Sequence, residues 1–361
     1  MVRDSILFKQ IKDLLITGLI MVFLIGLAEG CLRIFWPQPT KTVYLTEPPG
    51  LMDPDVGVIL RPNAKWMMQK PEFKTVFELS PEGFRDKVDH SAPVPVGTKR
   101  ILIIGSSHTL GAGVDYDDMW VVRFEKACLD HGLKVDVVKA GMNAFDTPSS
   151  VRFLEKFYSR YKPDFVIFEL ATAALLANPL YTEDKPSFDK SSSTSGIKIV
   201  TKEKEDLYFI SVIKRILRMD DTFYANYNMK KGWGPILSTD SDFRKRQIQS
   251  TEQWFLRAKV FAAKQGVKIF VMAIPENTQM LINARRMNIP GIDPQVNDRD
   301  LEKFCKEQGI GWISPLNYFS QQYLSQKKEL YYRLDGHMNS RGQKALSECV
   351  FNNLWAILNT L

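Results

Sequence analysis

Hydrophobic and polar positions fall into three regimes along the chain. Residues 14–28 (LLITGLIMVFLIGLA) carry no charge, and apolar character continues past Glu29 to Trp36. At about 1.5 Å per residue, a helix over 14–36 is long enough to cross a hydrocarbon core of about 30 Å. Glu29 and Arg33 lie near its far end, where they pair or reach the headgroups. Trp36-Pro37 reads as an interfacial anchor followed by a helix stop. Ala28-Glu29-Gly30 is a poor cleavage site with apolar residues beyond it, so the segment reads as an uncleaved anchor. Arg3, Lys9 and Lys12 outnumber Asp4 and Asp13, which keeps the N-terminus cytoplasmic. The bulk of the chain is then expected outside, in the periplasm if the membrane is a bacterial inner membrane.

Residues 37–98 are Pro-rich, with short alternating runs such as 74–79 (KTVFEL) before the turn Ser80-Pro81-Glu82-Gly83. They predict a small β-rich, membrane-proximal extension, with an extended linker as the alternative. From residue 99 the pattern changes. Residues 100–104 (RILII) form a continuous apolar run ending at Gly105, as expected for a strand buried on both faces of a parallel sheet. Similar runs recur at 134–138, 165–168, 268–274 and 311–313. Helical periodicity separates them at 119–129, 149–161, 247–265, 298–307 and 340–358. Alternating strands and helices predict an α/β domain over 99–361 with right-handed crossovers and ligands at the carboxyl ends of the strands.

An insertion spans about 179–245. It holds a polar stretch at 190–196 (KSSSTSG) that reads as a flexible loop. Next comes a helical pattern with Phe209, Val212, Ile213 and Ile216 on one face and Lys214, Arg215 and Arg218 on the other. A membrane-surface helix fits that pattern, but a lid packed on the domain is the preferred expectation.

Composition narrows the function classes. The 361 residues are 45% hydrophobic and 25% charged, which excludes collagen-like, disordered and disulfide-scaffold classes. The net charge of +7 is spread along the chain and reads as solvated surface, not as a nucleic-acid footprint. Cys31, Cys128, Cys305 and Cys349 make no CxxC motif. Of the four His, His90 falls in the Pro-rich stretch and His131 in a helix-end turn. No two His stand at ligand spacing, so neither a metal nor a cofactor is called for.

The chemistry gathers at two ends of the domain. The first strand runs into Gly105-Ser106-Ser107-His108-Thr109-Leu110-Gly111. A phosphate-binding loop would need Gly-Lys, and a dinucleotide fingerprint GxGxxG; neither is present. A serine at a strand end, near a helix N-terminus, sits where backbone N–H groups favour developing negative charge. It needs a positioned base. Leu334-Asp335-Gly336-His337-Met338-Asn339-Ser340 supplies one just before the last helix, with Asn339 or Ser340 as cap. Asp335 can hold the His337 tautomer, leaving the other ring nitrogen to take the serine proton.

These blocks resemble the SGNH/GDSL hydrolase superfamily, and within it the membrane-anchored bacterial members associated with polysaccharide acylation. Residues 105–111 are similar to the first block, Gly-Asp-Ser-x-x-x-Gly, with Ser107 as nucleophile. The Asp335–His337 run is similar to the last block. Residues 140–145 (AGMNAF) stand at the second block and 163–178 at the third; residues 73–86 are similar to what precedes the domain in anchored members. The resemblance implies a three-layer α/β/α flavodoxin-like parallel sheet. It also implies a Ser-His-Asp esterase or O-acyltransferase acting on acyl, chiefly acetyl, esters of an exported or cell-surface polysaccharide, with a membrane acyltransferase as a candidate partner. By the same resemblance, Ser107 and Ala144 supply oxyanion N–H groups. His108, next to the nucleophile, is a candidate for the acyl-pocket wall, with a hydrogen-bonded loop residue as the commoner outcome. One departure is serious: the third-block oxyanion Asn falls near Ala173, where no amide stands. Thr172 or Asn143, the latter also a candidate substrate-binding residue, is the expected replacement if anything replaces it. The rival reading is a catalytically weakened fold serving as a binding or assembly partner.

Overall fold

The computed structural model describes residues 2–36, 40–143, 145–177, 179–181, 200–202 and 207–359. The polar stretch 190–196 lies outside them. The first helix, α1 (Val2–Phe35), starts well before the expected residue 14. Its Phe8–Phe35 portion, 28 residues of mean hydropathy 2.2, is long and apolar enough to cross a membrane, and its most apolar stretch is not buried against the rest of the protein.

Five short strands follow: β1 (Lys41–Tyr44), β2 (Gly50–Asp53), β3 (Gly57–Leu60), β4 (Lys65–Lys70) and β5 (Phe73–Glu78). The α/β part then runs β6 (Lys99–Gly105), α2 (Trp120–Asp130), β7 (Val135–Gly141), α3 (Thr147–Tyr161), β8 (Phe165–Ala171) and α4 (Ala174–Ala177). The insertion contributes β9 (Val200–Lys202), α5 (Tyr208–Met219), α6 (Asp221–Asn228) and α7 (Gly234–Leu237). It leads into α8 (Asp242–Lys264), after which come β10 (Lys268–Ile274), α9 (Asn277–Arg285), α10 (Val296–Gln308), β11 (Gly311–Ile313), α11 (Leu316–Gln326) and α12 (Ser340–Leu358).

The central sheet has order β11-β10-β8-β6-β7 with every pair parallel, as the continuous apolar runs predict. Ile101 to Ile104 are fully buried, and two apolar clusters fill the space on either side of the sheet. Glu169 is the one charge inside β8, a strand buried along its whole length.

The extension and the insertion are not separate appendages. A second, antiparallel sheet has order β5-β4-β1-β9, so a strand from the insertion completes the sheet of the extension. Beyond β5 the chain is bound to the α/β core. The Arg85 guanidinium donates to the carbonyls of Gly111 (2.8 Å), Val114 (2.9 Å) and Leu110 (3.2 Å) in the loop after β6. His90 is not in a solvated linker, as its Pro-rich neighbourhood suggests. It is 1% exposed, between the Asp86 (2.9 Å) and Asp136 (2.7 Å) carboxylates. Buried Lys139 pairs with Asp86 (2.9 Å) and Glu125 (2.8 Å), and Arg100 with Asp136 (2.5 Å). Six ionisable groups from β6, β7, α2 and the extension thus satisfy one another inside the protein.

Candidate active site

The nucleophile loop begins where β6 ends, and its shape is dictated by a buried carboxylate. Glu169 accepts from the Ser106 backbone N–H (2.7 Å), the Ser106 hydroxyl (2.7 Å) and the Thr109 hydroxyl (2.8 Å). Burial pushes the Glu169 carboxyl up despite these bonds. Gly105 allows the approach: a Cβ there would stand 2.4 Å from Glu169 Oε2. The first-block Asp of the resemblance is therefore Ser106 here, and its hydroxyl is tied to a carboxylate on the neighbouring strand. The loop then folds back through a bond from Leu110 N–H to the Ser106 carbonyl (3.0 Å). Gln343 on α12 receives Trp120 N–H (2.8 Å) and donates to the His108 carbonyl (3.2 Å), joining α2, α12 and the loop.

The second loop comes from the other end of the chain. Gly336 turns it at φ +92°, with Gly336 N–H bonded to the Tyr332 carbonyl (3.0 Å) and Tyr332 N–H to the His337 carbonyl (2.9 Å). Asn339, of the two expected caps, receives Arg341 N–H (2.9 Å) and Gly342 N–H (3.1 Å) to start α12. The Glu72 carboxylate, in the β4–β5 turn, accepts the N–H groups of Arg333, Leu334 and Asp335, each at 2.9 Å.

These two loops meet. His337 Nε2 lies 2.9 Å from Ser107 Oγ, and His337 Nδ1 is hydrogen-bonded to the Asp335 carboxylate. With the proton on Nδ1, that nitrogen donates to Asp335 and Nε2 accepts from the serine hydroxyl. Burial opposes charge on both partners. Their mutual hydrogen bond and attraction outweigh it, holding Asp335 below its ordinary value and raising His337.

Ser107 and His337 open on a cavity of about 630 Å³, with Phe145, Ala173, Arg218, Tyr224, Trp233 and Glu276 among its walls. His108 is among its walls, 5.5 Å ring to ring from His337. Burial pushes its pKa down to about 3, so it is a neutral ring there. Among the described residues no group of three or more His, Cys, Asp or Glu is arranged to hold a metal.

The expected oxyanion substitutes do not assemble. Thr172 is not among the cavity walls, and its hydroxyl lies 2.9 Å from Gln279 Oε1 and 3.1 Å from the Ile274 carbonyl, so its single proton is already committed. Asn143 is exposed and is not among the cavity walls. Ala144 lies outside the described residues. Ala173 does line the cavity, and its N–H is hydrogen-bonded to the Glu276 carboxyl. Burial raises Glu276 to about 7. Sequence reading passed over Glu72, Glu169 and Glu276. The signal available was a carboxylate inside or just after an apolar strand, for Glu169 in VIFELA and Glu276 after KIFVMAIP.

No family model and no curated protein matches the chain. Solved structures similar to it include an acetyl xylan esterase, at 12% identity over 70% of this chain and 98% of that one, with a TM-score of 0.42. The psychrotrophic esterase EstA from Pseudoalteromonas sp. is 9% identical over 72% of this chain and 99% of that chain, with a TM-score of 0.42. A lipase/acylhydrolase from Enterococcus faecalis is 12% identical over 72% and 96%, with a TM-score of 0.40. At these identities and scores, the esterase reading stands on Ser107, His337 and Asp335 of this chain.

Proposed function

We propose that the chain is an SGNH-type serine esterase or O-acyltransferase, anchored in the bacterial inner membrane by residues 1–36, with its catalytic domain (99–361) periplasmic. The observation that carries this reading is the hydrogen-bonded series from Ser107 through His337 to Asp335 at the mouth of one cavity. Ser107 attacks the ester carbonyl while His337 takes its proton, and Asp335 stabilises the imidazolium. The oxyanion is held by the N–H of Ser107, joined by that of Ala144. His337 then returns the proton to the leaving alkoxide. Water or a sugar hydroxyl, deprotonated by His337, attacks the acyl-enzyme carbonyl and releases Ser107. An acetylated polysaccharide suits the cavity: Trp233 and Tyr224 offer aromatic faces and Arg218, Glu276 and Asn277 polar ones.

A fluorophosphonate probe tests this on the purified full chain. Labelling at Ser107, abolished together with hydrolysis of p-nitrophenyl acetate by Ser107→Ala, is expected; no labelling of the unsubstituted protein sinks the proposal. One observation favours a second reading, a weakened fold acting as an assembly partner of a membrane acyltransferase: Ala173 brings no amide to the oxyanion position. That reading expects no labelling.

A further inference from the structure

Two sets of contacts tie the membrane-length helix to the His337 loop through a single short helix. Near the end of α1, the Glu29 carboxylate accepts the N–H groups of Tyr208 (3.1 Å) and Phe209 (2.9 Å) in the first turn of α5. An intrahelical carbonyl cannot satisfy those groups, and Leu207 ahead of them brings no capping side chain. The Arg33 guanidinium lies 4.5 Å over the Tyr208 ring, and that of Arg215 lies 5.8 Å over the Trp36 ring. At the other end of α5, Arg218 donates to the carbonyls of Leu334 (3.3 Å) and Arg333 (3.4 Å) and lines the cavity of Ser107.

The apolar side of α5 is left uncovered. A lid would bury that side, yet Tyr208 is the only fully buried residue of the helix. Ile210, Ile213 and Leu217 are exposed at one-face spacing, and Ile216 (62%) widens the row. Single exposed apolar side chains are ordinary, but a continuous row marks an interaction surface. Lys230 and Lys231 are exposed on the segment that follows α6.

We infer that α5 is an in-plane interfacial helix whose Ile210–Ile213–Leu217 row sits between the headgroups and acyl chains of an anionic phospholipid bilayer, placing the Ser107 cavity beside that surface. The inference rests on reading α1 as membrane-spanning. Continuity selects the bilayer as occupant: Glu29 and Arg33 hold α5 at the level where α1 turns polar. Arg215, Lys230 and Lys231 supply charge that complements anionic headgroups.

Depth-dependent quenching tests it on the full chain carrying Cys31→Ser, since the remaining cysteines are buried. A bimane probe is placed at Ile213→Cys, Ile216→Cys or, as a control for the span, Ile20→Cys. The protein is reconstituted in phosphatidylcholine/phosphatidylglycerol vesicles with or without brominated acyl chains. Quenching of all three probes by about twofold, with the α5 probes shielded from aqueous iodide, is the expected result for an interfacial helix. Quenching at Ile20 alone overturns the inference and leaves the anchor standing. Quenching at none of the three overturns both.

Discussion

The Glu72 carboxylate accepts the backbone N–H of Asp335 at 2.9 Å, across 263 positions of sequence. The same carboxylate takes the N–H groups of Arg333 and Leu334. A residue of the membrane-proximal extension thus fixes the loop that carries the base. This gives residues 37–98 a role beyond spacing the α/β domain from a bilayer.

Glu72→Ala leaves three partly buried N–H groups without their acceptor, at about 1–3 kcal/mol for each group that finds no other partner. The variant is expected to fold and bind substrate with little change in KM, while kcat and the rate of fluorophosphonate labelling fall about 10- to 100-fold through misplaced His337. Glu72→Gln, which keeps one acceptor oxygen, recovers part of the loss. A pure stability role would instead lower Tm and leave kcat of the folded fraction unchanged.

The raised His337 pKa sets the acid limb of activity. The base works only as neutral imidazole, so kcat/KM falls as pH drops through a pKa raised from the ordinary histidine value. Asp335→Asn removes the partner that raises it. The limb then moves to lower pH, while kcat falls by about 10⁴ as the wrong tautomer becomes available. A pH–rate profile of both proteins checks the direction.

The sheet was legible because its strands are apolar on both faces, and the Ser107, Asp335 and His337 positions because strand-end and pre-helix loops announce themselves. Helix α9 was not legible. Thr278, Gln279, Met280, Leu281 and Ile282 are consecutive and all buried, so no amphipathic period exists to read. Helix α11 does carry the period, at Leu316, Phe319, Ser320 and Tyr323, but a buried serine interrupts its apolar face. The supporting carboxylates escaped for a different reason. Glu72, Glu169 and Glu276 act on partners far away in sequence, and spacing along one chain cannot encode such pairings. Thr172 failed as an oxyanion candidate because Gln279 and Ile274, on α9 and β10, claim its hydroxyl.

Ala173 lines the cavity at the position where an amide is expected, so it offers a gain-of-function test. Deleting one oxyanion donor typically costs about 10²–10³ in rate. Ala173→Asn is therefore expected to raise kcat/KM for p-nitrophenyl acetate by at least about tenfold without altering the pH profile. An unchanged rate would mean that the transition state is already fully supplied with donors.

The His90 cluster predicts how stability depends on pH. Burial disfavours the imidazolium, but hydrogen bonds to Asp136 and Asp86 outweigh it and raise His90 to about 9. A folded value above the unfolded one, about 6.5, means the contribution is complete below pH 6.5 and is lost as pH rises through about 9. For Asp86 burial again opposes charge, and His90 and Lys139 overcome it, lowering the carboxyl to about 2. Its contribution is present above the ordinary carboxylate range and disappears as pH falls through about 2. Arg100, Tyr116 and Glu125 face the same cluster. The cluster's contribution, read as the difference in Tm in detergent between this chain and His90→Asn, is thus expected to be constant from about pH 4 to 6.5 and to shrink toward pH 9, at about 1.4 kcal/mol per pH unit for one proton. His90→Asn should be less stable at pH 6, by a margin that narrows toward pH 9. A margin that does not narrow would assign the pH dependence to other groups.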